Sequence, residues 1–359
     1  MLYKLKDIFD LQMGKTPSRN NIEYWNTNDY KWVSISDLTK TDKYIYDTKE
    51  YLSKKAVNES GIKIIPANTV IMSFKLSIGK TAITAEDMYS NEAIMAFHDK
   101  HIVEIIPEYI FYLFKYKNWD DGSNKAVMGK TLNKAILSEV EIDICSIEEQ
   151  RKIVNVLDKI MNLISARKKE LSYLDTFIKA RFVEMFGDPI RNTQNRPTTE
   201  FINVVKMQRG FDLPVQDRQQ DGEIPVYGSN GALDYHNVAK IHGGVITGRS
   251  GTIGKVFYTE GDFWPLNTSL FSADTHGNNV IYLGYLLQLF DLTRFVEGTG
   301  VPTLNRNMFH NKQIIDVPID EQRVFAAFVN EIDKSKSAVK KALDETQLLF
   351  DSLMQEYFG

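Results

Sequence analysis

The chain has 359 residues, of which 43% are hydrophobic and 25% are charged, and its formal net charge is −4. Such a composition is typical of a folded soluble protein, and the length indicates two or three domains. The single cysteine, Cys145, excludes an internal disulfide and a cysteine-rich metal site. No apolar run reaches the roughly 18 residues of a membrane span, and the charged N-terminus does not resemble a signal peptide. We therefore expect a cytoplasmic protein that contacts no membrane and binds no metal.

The first 146 residues predict a mixed α/β domain. Strands are indicated at residues 31–35 and 70–74 by runs of apolar and β-branched residues, and a short helix is indicated at residues 109–115. Residues 188–318 predict a second domain of the same kind. Its strands and short helix are expected at residues 244–247, 255–258 and 282–290.

A long helix is predicted from about residue 147 to residue 186, where neither proline nor glycine interrupts the chain. Apolar side chains recur in it every seven residues, and this row is Leu157, Ile164, Leu171, Ile178 and Met185. Such spacing is typical of a coiled-coil seam. Gly187 and Pro189 then end the helix, since glycine and proline at these places stop helices.

A second long helix is predicted at residues 319–359, where Val329, Leu343, Phe350 and Tyr357 form a similar row that Lys336 interrupts. At about 1.5 Å per residue, each helix would be roughly 60 Å long. One small domain cannot cover a helix of that length, so we predict that the two helices pack on each other in antiparallel fashion. The alternative is two unrelated amphipathic helices, each packed on its own domain.

The chain also repeats itself. Residues 148–187 match residues 320–359 without a gap, and 12 of the 40 positions are identical, whereas average composition gives roughly two or three. Each copy contains Glu-Gln-Arg, at residues 149–151 and 321–323, and Thr-Leu-Asn recurs at the same offset of 172 residues. Weaker matches continue upstream with larger offsets. We therefore predict an α+β fold with two pseudo-repeated mixed α/β domains, separated by a long antiparallel two-helix coiled coil.

Several kinds of catalytic site are excluded. Three Gly-Lys-Thr triplets invite comparison with a phosphate-binding loop, but that loop needs a glycine five positions before its second glycine. Phe9, Phe74 and Asn124 occupy those positions. We also find no dinucleotide or methyl-donor fingerprint and no nucleophile elbow. The sequence therefore predicts a binding protein without a cofactor rather than an enzyme.

Four stretches resemble the specificity subunit of type I restriction–modification systems. They are residues 14–38, residues 65–81, residues 298–305, and the Glu-Gln-Arg helix start that is present twice. The order domain, helix, domain, helix is also that of the family. The chain departs from the family pattern at Cys145-Ser146-Ile147, where copy two keeps the usual apolar residue and proline as Val317-Pro318-Ile319.

The resemblance implies two target recognition domains, residues 1–146 and 188–318, that each read one half of a bipartite, asymmetric site in double-stranded DNA. Residues 147–187 and 319–359 would be spacer helices that set the number of unread base pairs. They would also dock two modification subunits, which carry the methyl-transfer chemistry, and restriction subunits would supply translocation and cleavage. The chain itself would be non-catalytic. The alternative is an adaptor with two protein-binding domains, which would not bind DNA in a sequence-specific way.

Candidate DNA contacts lie in the glycine-rich loops. Arg249 is the first candidate, because flanking glycines let the backbone approach DNA and a guanidinium can fork onto guanine. The other candidates are loop residues with polar or basic side chains, namely Ser250, Thr252, Lys255, Arg209, Tyr227, Ser229, Asn230 and Arg306 in copy two, and Lys15, Thr16, Ser36, Lys75, Ser77, Lys80 and Lys130 in copy one. Candidate partner contacts on the helices are Lys168, Lys169, Lys340 and Lys341. The alternative for each of these basic residues is an ordinary surface charge, either solvated or paired with a neighbour.

Overall fold

The computed structural model describes residues 1–25, 27–75, 77–119, 132–219, 221–298 and 302–359. The chain forms two compact units. Unit 1 comprises Met1–Ser165 and Asp344–Gly359, and unit 2 comprises Ala166–Leu343. Both units mix helices and strands, as the sequence predicts. Among the helices of the described residues, none has the length and hydrophobicity that crossing a membrane requires.

Unit 1 is built on a five-stranded sheet in the order β2-β9-β6-β7-β4. The strands of its described part are β1 (Leu2–Lys4), β2 (Phe9–Met13), β3 (Tyr30–Val33), β4 (Tyr44–Ile45), β5 (Glu50–Leu52), β6 (Val70–Ser73), β7 (Thr81–Thr84), β8 (Tyr89–Ser90), β9 (Ile94–Asp99) and β10 (Glu141–Asp143). The helices are α1 (Leu5–Ile8), α2 (Ile35–Lys40), α3 (Lys54–Ser60), α4 (Pro107–Tyr116), α5 (Lys134–Ser138), the first part of α6 (Ile147–Phe186) and the last part of α9 (Ile319–Phe358).

Unit 2 contains a six-stranded sheet in the order β12-β17-β15-β16-β13-β14. The strands of its described part are β11 (Thr198–Glu200), β12 (Lys206–Arg209), β13 (Ile224–Gly228), β14 (Gly231–His236), β15 (Ile241–Gly248), β16 (Val256–Pro265), β17 (Ser269–Asp274), β18 (Val296–Glu297), β19 (Thr303–Leu304) and β20 (Gln313–Ile315). The helices are the rest of α6, α7 (Phe201–Val204), α8 (Val280–Phe290) and the first part of α9 (Ile319–Phe358).

The repeat seen in the sequence is a repeat of topology. In unit 1, β2, β9, β6 and β7 lie side by side in antiparallel pairs, and in unit 2 β12, β17, β15 and β16 do the same. The first strand of each copy also pairs with the strand that precedes the long helix, β1 with β10 and β11 with β20. Four strands of one sheet thus correspond in order, direction and neighbours to four strands of the other.

The long helices cover the predicted ranges. Within unit 2 they are antiparallel, because contacts move down α9 as they move up α6. Asp175 pairs with Lys336 at 2.6 Å, and further along α6 the ring of Phe182 packs edge-on against Phe325 with 5.3 Å between ring centres. Lys336, which interrupts the predicted apolar row, therefore has a carboxylate partner across the seam.

The glutamine of the first Glu-Gln-Arg motif is fully buried in unit 1. The side-chain oxygen of Gln150 accepts a hydrogen bond from the N–H of Ile106 at 2.9 Å. Its side-chain nitrogen donates to the carbonyl oxygens of Glu104 at 2.9 Å and Cys145 at 3.0 Å. Gln150 thus ties the start of α6 to the segment that leads into α4.

Gln322 plays the same part in unit 2, where it is 1% exposed. Its side-chain oxygen accepts from the N–H of Asn279 at 2.9 Å, and its nitrogen donates to the side chain of Asn278 at 2.6 Å and the carbonyl of Val317 at 2.8 Å. Asn279 is also the N-cap of α8. The repeated motif is therefore explained by a buried amide that joins the long helix to the short one in each unit.

Candidate nucleic-acid interface

Three arginines of unit 2 line one pocket of about 270 Å³. Its lining residues are Arg209, Arg249, Leu270, Thr303, Leu304, Asn305, Arg306 and Asn307. Within the described part of the chain, no carboxylate oxygen lies within 4.0 Å of the guanidinium groups of the three arginines. We call this feature the arginine pocket. Its uncompensated positive charge suits a polyanion.

Arg249 is positioned by hydrogen bonds on both sides of its peptide. Its N–H donates to the carbonyl of Thr268 at 2.9 Å, and its carbonyl accepts from the N–H of Leu304 at 2.8 Å. Thr268 precedes β17 and Leu304 lies in β19, so two elements distant in sequence hold the backbone of Arg249. A side chain on a fixed backbone loses less conformational entropy when it binds.

Arg209 and Arg306 reach the arginine pocket from two further elements. Arg209 is the exposed last residue of β12, opposite Leu270 of β17. Arg306 begins a single 3₁₀ turn, whose N-cap, Asn305, accepts a hydrogen bond from the N–H of Asn307 at 3.1 Å. The asparagine of the repeated Thr-Leu-Asn motif is therefore a cap that places the following arginine.

His310 anchors β12, which carries Arg209, to the segment that carries Arg306. The Nε2 atom of His310 accepts a hydrogen bond from the N–H of Met207 at 3.2 Å. Burial lowers the pKa of His310, and the nearby charges of Arg306 and Lys206 lower it further. The ring is therefore neutral at pH 7, which leaves a nitrogen able to accept this hydrogen bond.

The other loop candidates of copy two lie in the turn between β13 and β14 and in the loop after β15. The Nζ atom of Lys255 donates to the side-chain oxygen of Asn230 at 2.7 Å, which joins the turn between β13 and β14 to the end of the loop after β15. Ser250 lies opposite Thr303 in an isolated antiparallel bridge, and Thr252 is exposed.

Tyr227 is less available than the other candidates. Its ring packs against Phe263, with 5.8 Å between ring centres, and against Phe257 at 6.3 Å. Burial raises the pKa of the Tyr227 phenol, so the hydroxyl stays protonated and can donate a hydrogen bond. Tyr227 therefore contributes to the packing beneath the loops as well as to their surface.

Gly248, which precedes Arg249, has no room for a side chain. A Cβ atom there would lie 1.8 Å from the carbonyl oxygen of Thr252 and 3.0 Å from that of Ser229. We expect Gly248→Ala to displace the Arg249 loop and to destabilise unit 2 by about 1–3 kcal/mol, the usual cost of overpacking. Thermal unfolding with Gly261→Ala as the control tests this, because a Cβ at Gly261 meets nothing closer than 3.8 Å. Equal melting of the two variants would contradict the expectation.

The candidates of copy one have partners of their own. The Nζ atom of Lys15 bonds the carbonyl of Ser60, and the hydroxyl of Thr16 donates to Glu92. The Nζ atom of Lys80 bonds the hydroxyl of Thr39 at 2.5 Å.

Lys75 lies 5.2 Å from the ring centre of Phe74. Ser36 is exposed on α2, and Ser77 is exposed in the turn after β6. Lys130 lies outside the described residues. The structure thus gathers the arginines of copy two, whereas Lys15, Thr16, Lys75 and Lys80 of copy one each contact a separate neighbour.

The four helix lysines are exposed, and they are Lys168 and Lys169 on α6 and Lys340 and Lys341 on α9. Two further polar residues, Thr303 and Asn307, line the arginine pocket and were not predicted from the sequence as contacts. The Thr-Leu-Asn repeat marks their neighbourhood, but their contribution to a pocket depends on the fold.

Comparison with known proteins identifies the relatives of this chain. Residues 1–173 and 192–346 match the family model described as type I restriction modification DNA specificity domain. The MjaIX specificity subunit of Methanocaldococcus jannaschii is 32% identical over 198 residues, which make up 53% of this chain and 45% of that protein. The chain thus spans about half the length of that relative. The EcoprrI specificity subunit of Escherichia coli is 23% identical over 93% of this chain and 88% of the relative.

Two solved structures share the fold. The S subunit of a type I restriction–modification system from M. genitalium has a TM-score of 0.61 and 14% identity, and the alignment covers 100% of this chain and 96% of that one. A chain from a study of type I complex assembly and conformational transition has a TM-score of 0.60 and 15% identity, with 100% and 97% coverage. At such identities the likeness concerns the fold alone.

Proposed function

Because this chain belongs to the family of type I restriction–modification DNA specificity domains, we propose that it is the subunit through which a type I complex recognises its DNA. Each of its two α/β copies reads one half of a bipartite, asymmetric site in double-stranded DNA. The chain carries no chemistry of its own and needs no cofactor for this role.

The arginine pocket is the observation that carries the proposal. Guanidinium groups without carboxylate partners are suited to phosphate oxygens and to the acceptor edge of guanine. Neutralised phosphates supply most of the affinity of DNA-binding proteins, and base contacts supply the specificity. Arg249, whose backbone is held on both sides, is suited to a base contact. Arg209 and Arg306 are suited to phosphates on either side of it.

The two copies share a topology but differ in their loops, as two readers of unlike half-sites should. We propose that α6 and α9 set the number of unread base pairs between the halves. The same helices dock two modification subunits, which transfer methyl groups, and the restriction subunits join that assembly. Lys168, Lys169, Lys340 and Lys341 are candidate contacts for these partners.

Sequencing of DNA methylation tests this proposal. Cells that express this chain with its neighbouring modification subunit should contain a bipartite methylated motif, and cells that express the modification subunit alone should lack it. A variant with alanine at Arg191, an exposed arginine outside the arginine pocket, should preserve the motif. A folded, assembled complex that produces no motif would refute the proposal.

A further inference from the structure

The two copies use different basic residues. Residues 1–146 contain 18 lysines and one arginine, whereas residues 188–318 contain four lysines and seven arginines. Lysine presents a compact point charge, but arginine presents a planar fork that can donate two parallel hydrogen bonds. That fork matches the O6 and N7 acceptors of guanine in the major groove. The two copies therefore differ in how their basic side chains can read bases, and not only in how much charge they carry.

The one arginine of copy one is already engaged. The guanidinium of Arg19 binds the carboxylate of Glu50 with both terminal nitrogens, one of them at 3.1 Å. It also lies 3.8 Å from the centre of the Trp25 ring. In this arrangement the donors of the fork are paired with a carboxylate and its face is stacked on indole, so Arg19 is not presented to a base.

The position in copy one that corresponds to Arg249 holds a buried aromatic residue. Ile78-Gly79-Lys80 matches Ile253-Gly254-Lys255 at an offset of 175 residues, and the same offset places Phe74 at the position of Arg249. Phe74 follows β6 as Arg249 follows β15, and both strands occupy the same place in their sheets. The Phe74 side chain is 1% exposed, so it cannot contact a ligand.

A second correspondence leads to the same result. Gln12-Met13-Gly14 matches Gln208-Arg209-Gly210 in the sequence. Both glycines pack closely against a backbone carbonyl, since a Cβ at either one would lie 2.2 Å from a backbone oxygen. The two segments are therefore placed alike, and copy one presents the thioether of Met13, which is 48% exposed, where copy two presents a guanidinium.

We propose that guanine is read by an arginine fork, that of Arg249, in the half-site that unit 2 contacts, and that the half-site contacted by unit 1 is read without one. The two half-sites then differ in their dependence on guanine N7. This inference rests on the proposed function, because it requires that both units contact DNA.

Duplexes that contain 7-deazaguanine test the inference. This base lacks the N7 acceptor but keeps Watson–Crick pairing. The chain, assembled with its modification subunits, is titrated with duplexes that carry its methylated motif, and each guanine of either strand is replaced in turn. In one half-site a single replacement should weaken binding about 10- to 100-fold, the range for one hydrogen bond to a charged group. In the other half-site no replacement should change affinity more than about twofold.

The variants Arg249→Ala and Arg249→Gln identify the atoms involved. Each should bind the unmodified duplex at least as weakly as the native chain binds the deaza duplex, because the contact to O6 is lost as well. The deaza replacement should then cost these variants nothing further. Arg191→Ala is the matched control and should keep the full effect. Unchanged thermal unfolding of the variants excludes misfolding as the cause of the weaker binding.

Three results would overturn the inference. Arg249→Ala could weaken every duplex alike, which indicates a phosphate contact; the N7 effect could survive in that variant; or both half-sites could depend on N7. Each of these is distinct from failure of the proposed function, which would appear as no preference for the motif over an unrelated duplex.

Discussion

Replacing Gln322 with leucine should lower the free energy of unfolding of unit 2 by about 3–5 kcal/mol. Leucine is similar in size, so the loss comes from three polar groups that lose their partner. They are the partly buried N–H of Asn279, the partly buried side-chain oxygen of Asn278 and the buried carbonyl of Val317. Each unsatisfied buried group costs about 1–3 kcal/mol. Gln150→Leu should have a similar effect on unit 1, because Gln150 also makes three hydrogen bonds.

Calorimetry and hydrogen exchange measure this effect. For a unit of this size, we expect melting to fall by about 6–20 °C, at roughly 2–4 °C per kcal/mol. The amide of Asn279 should lose protection in Gln322→Leu and the amide of Ile106 in Gln150→Leu. The neighbouring arginines provide matched controls, because Arg151 and Arg323 are exposed. Their alanine variants should change stability by less than about 0.5 kcal/mol. If the leucine variants melted at the same temperature as these controls, the side-chain amides of Gln150 and Gln322 would have no structural role.

The long helices could be predicted because their signals are continuous along the chain. The seven-residue row from Leu157 to Met185 and the absence of glycine and proline are properties of adjacent sequence. In the structure Leu157, Ile164 and Ile178 of this row are buried, and Leu171 and Met185 are half-buried. The repeat likewise predicted that the two domains share a fold, and the shared strand order bears this out.

The arginine pocket could not be predicted as a unit. Arg209, Arg249 and Arg306 lie in three elements, separated by 40 and 57 residues, and no periodicity links them. They meet because β12 and β15 both pair with β17, and because Leu304, two residues before Arg306, donates a hydrogen bond to the carbonyl of Arg249. Each arginine could be chosen as a candidate from its own side-chain chemistry. The convergence of the three arginines, however, depends on long-range strand pairing.

The role of the repeated glutamine could not be predicted for a related reason. A Glu-Gln-Arg triplet at the start of a helix looks like three polar surface residues, and polar residues are usually exposed. Gln150 and Gln322 are buried because they form hydrogen bonds with the segments before α4 and α8. Their partners lie 44 and 43 residues away in the cases of Ile106 and Asn279.

Alanine at both Arg209 and Arg306 should weaken DNA binding by the assembled complex about 10²- to 10⁴-fold. In the proposed interface each guanidinium contacts a phosphate, and a hydrogen bond to a charged group contributes about 1.5–3 kcal/mol. Because both side chains lack a carboxylate partner among the described residues, their removal breaks no ion pair there. The loss should therefore appear in DNA affinity and not in the stability of unit 2.

Salt dependence separates these contacts from base reading. Each phosphate contact adds about 0.9 to the slope of log K against log salt, so the double variant should lose close to two from that slope. Its loss of affinity should be the same for the methylated motif and for an unrelated duplex, whereas Arg249→Ala should change mainly the preference between them. Fluorescence anisotropy at four salt concentrations measures both quantities, with Arg191→Ala as the control for exposed charge. An unchanged slope, or a loss confined to the motif, would place Arg209 and Arg306 on base edges and leave the phosphate contacts to other residues.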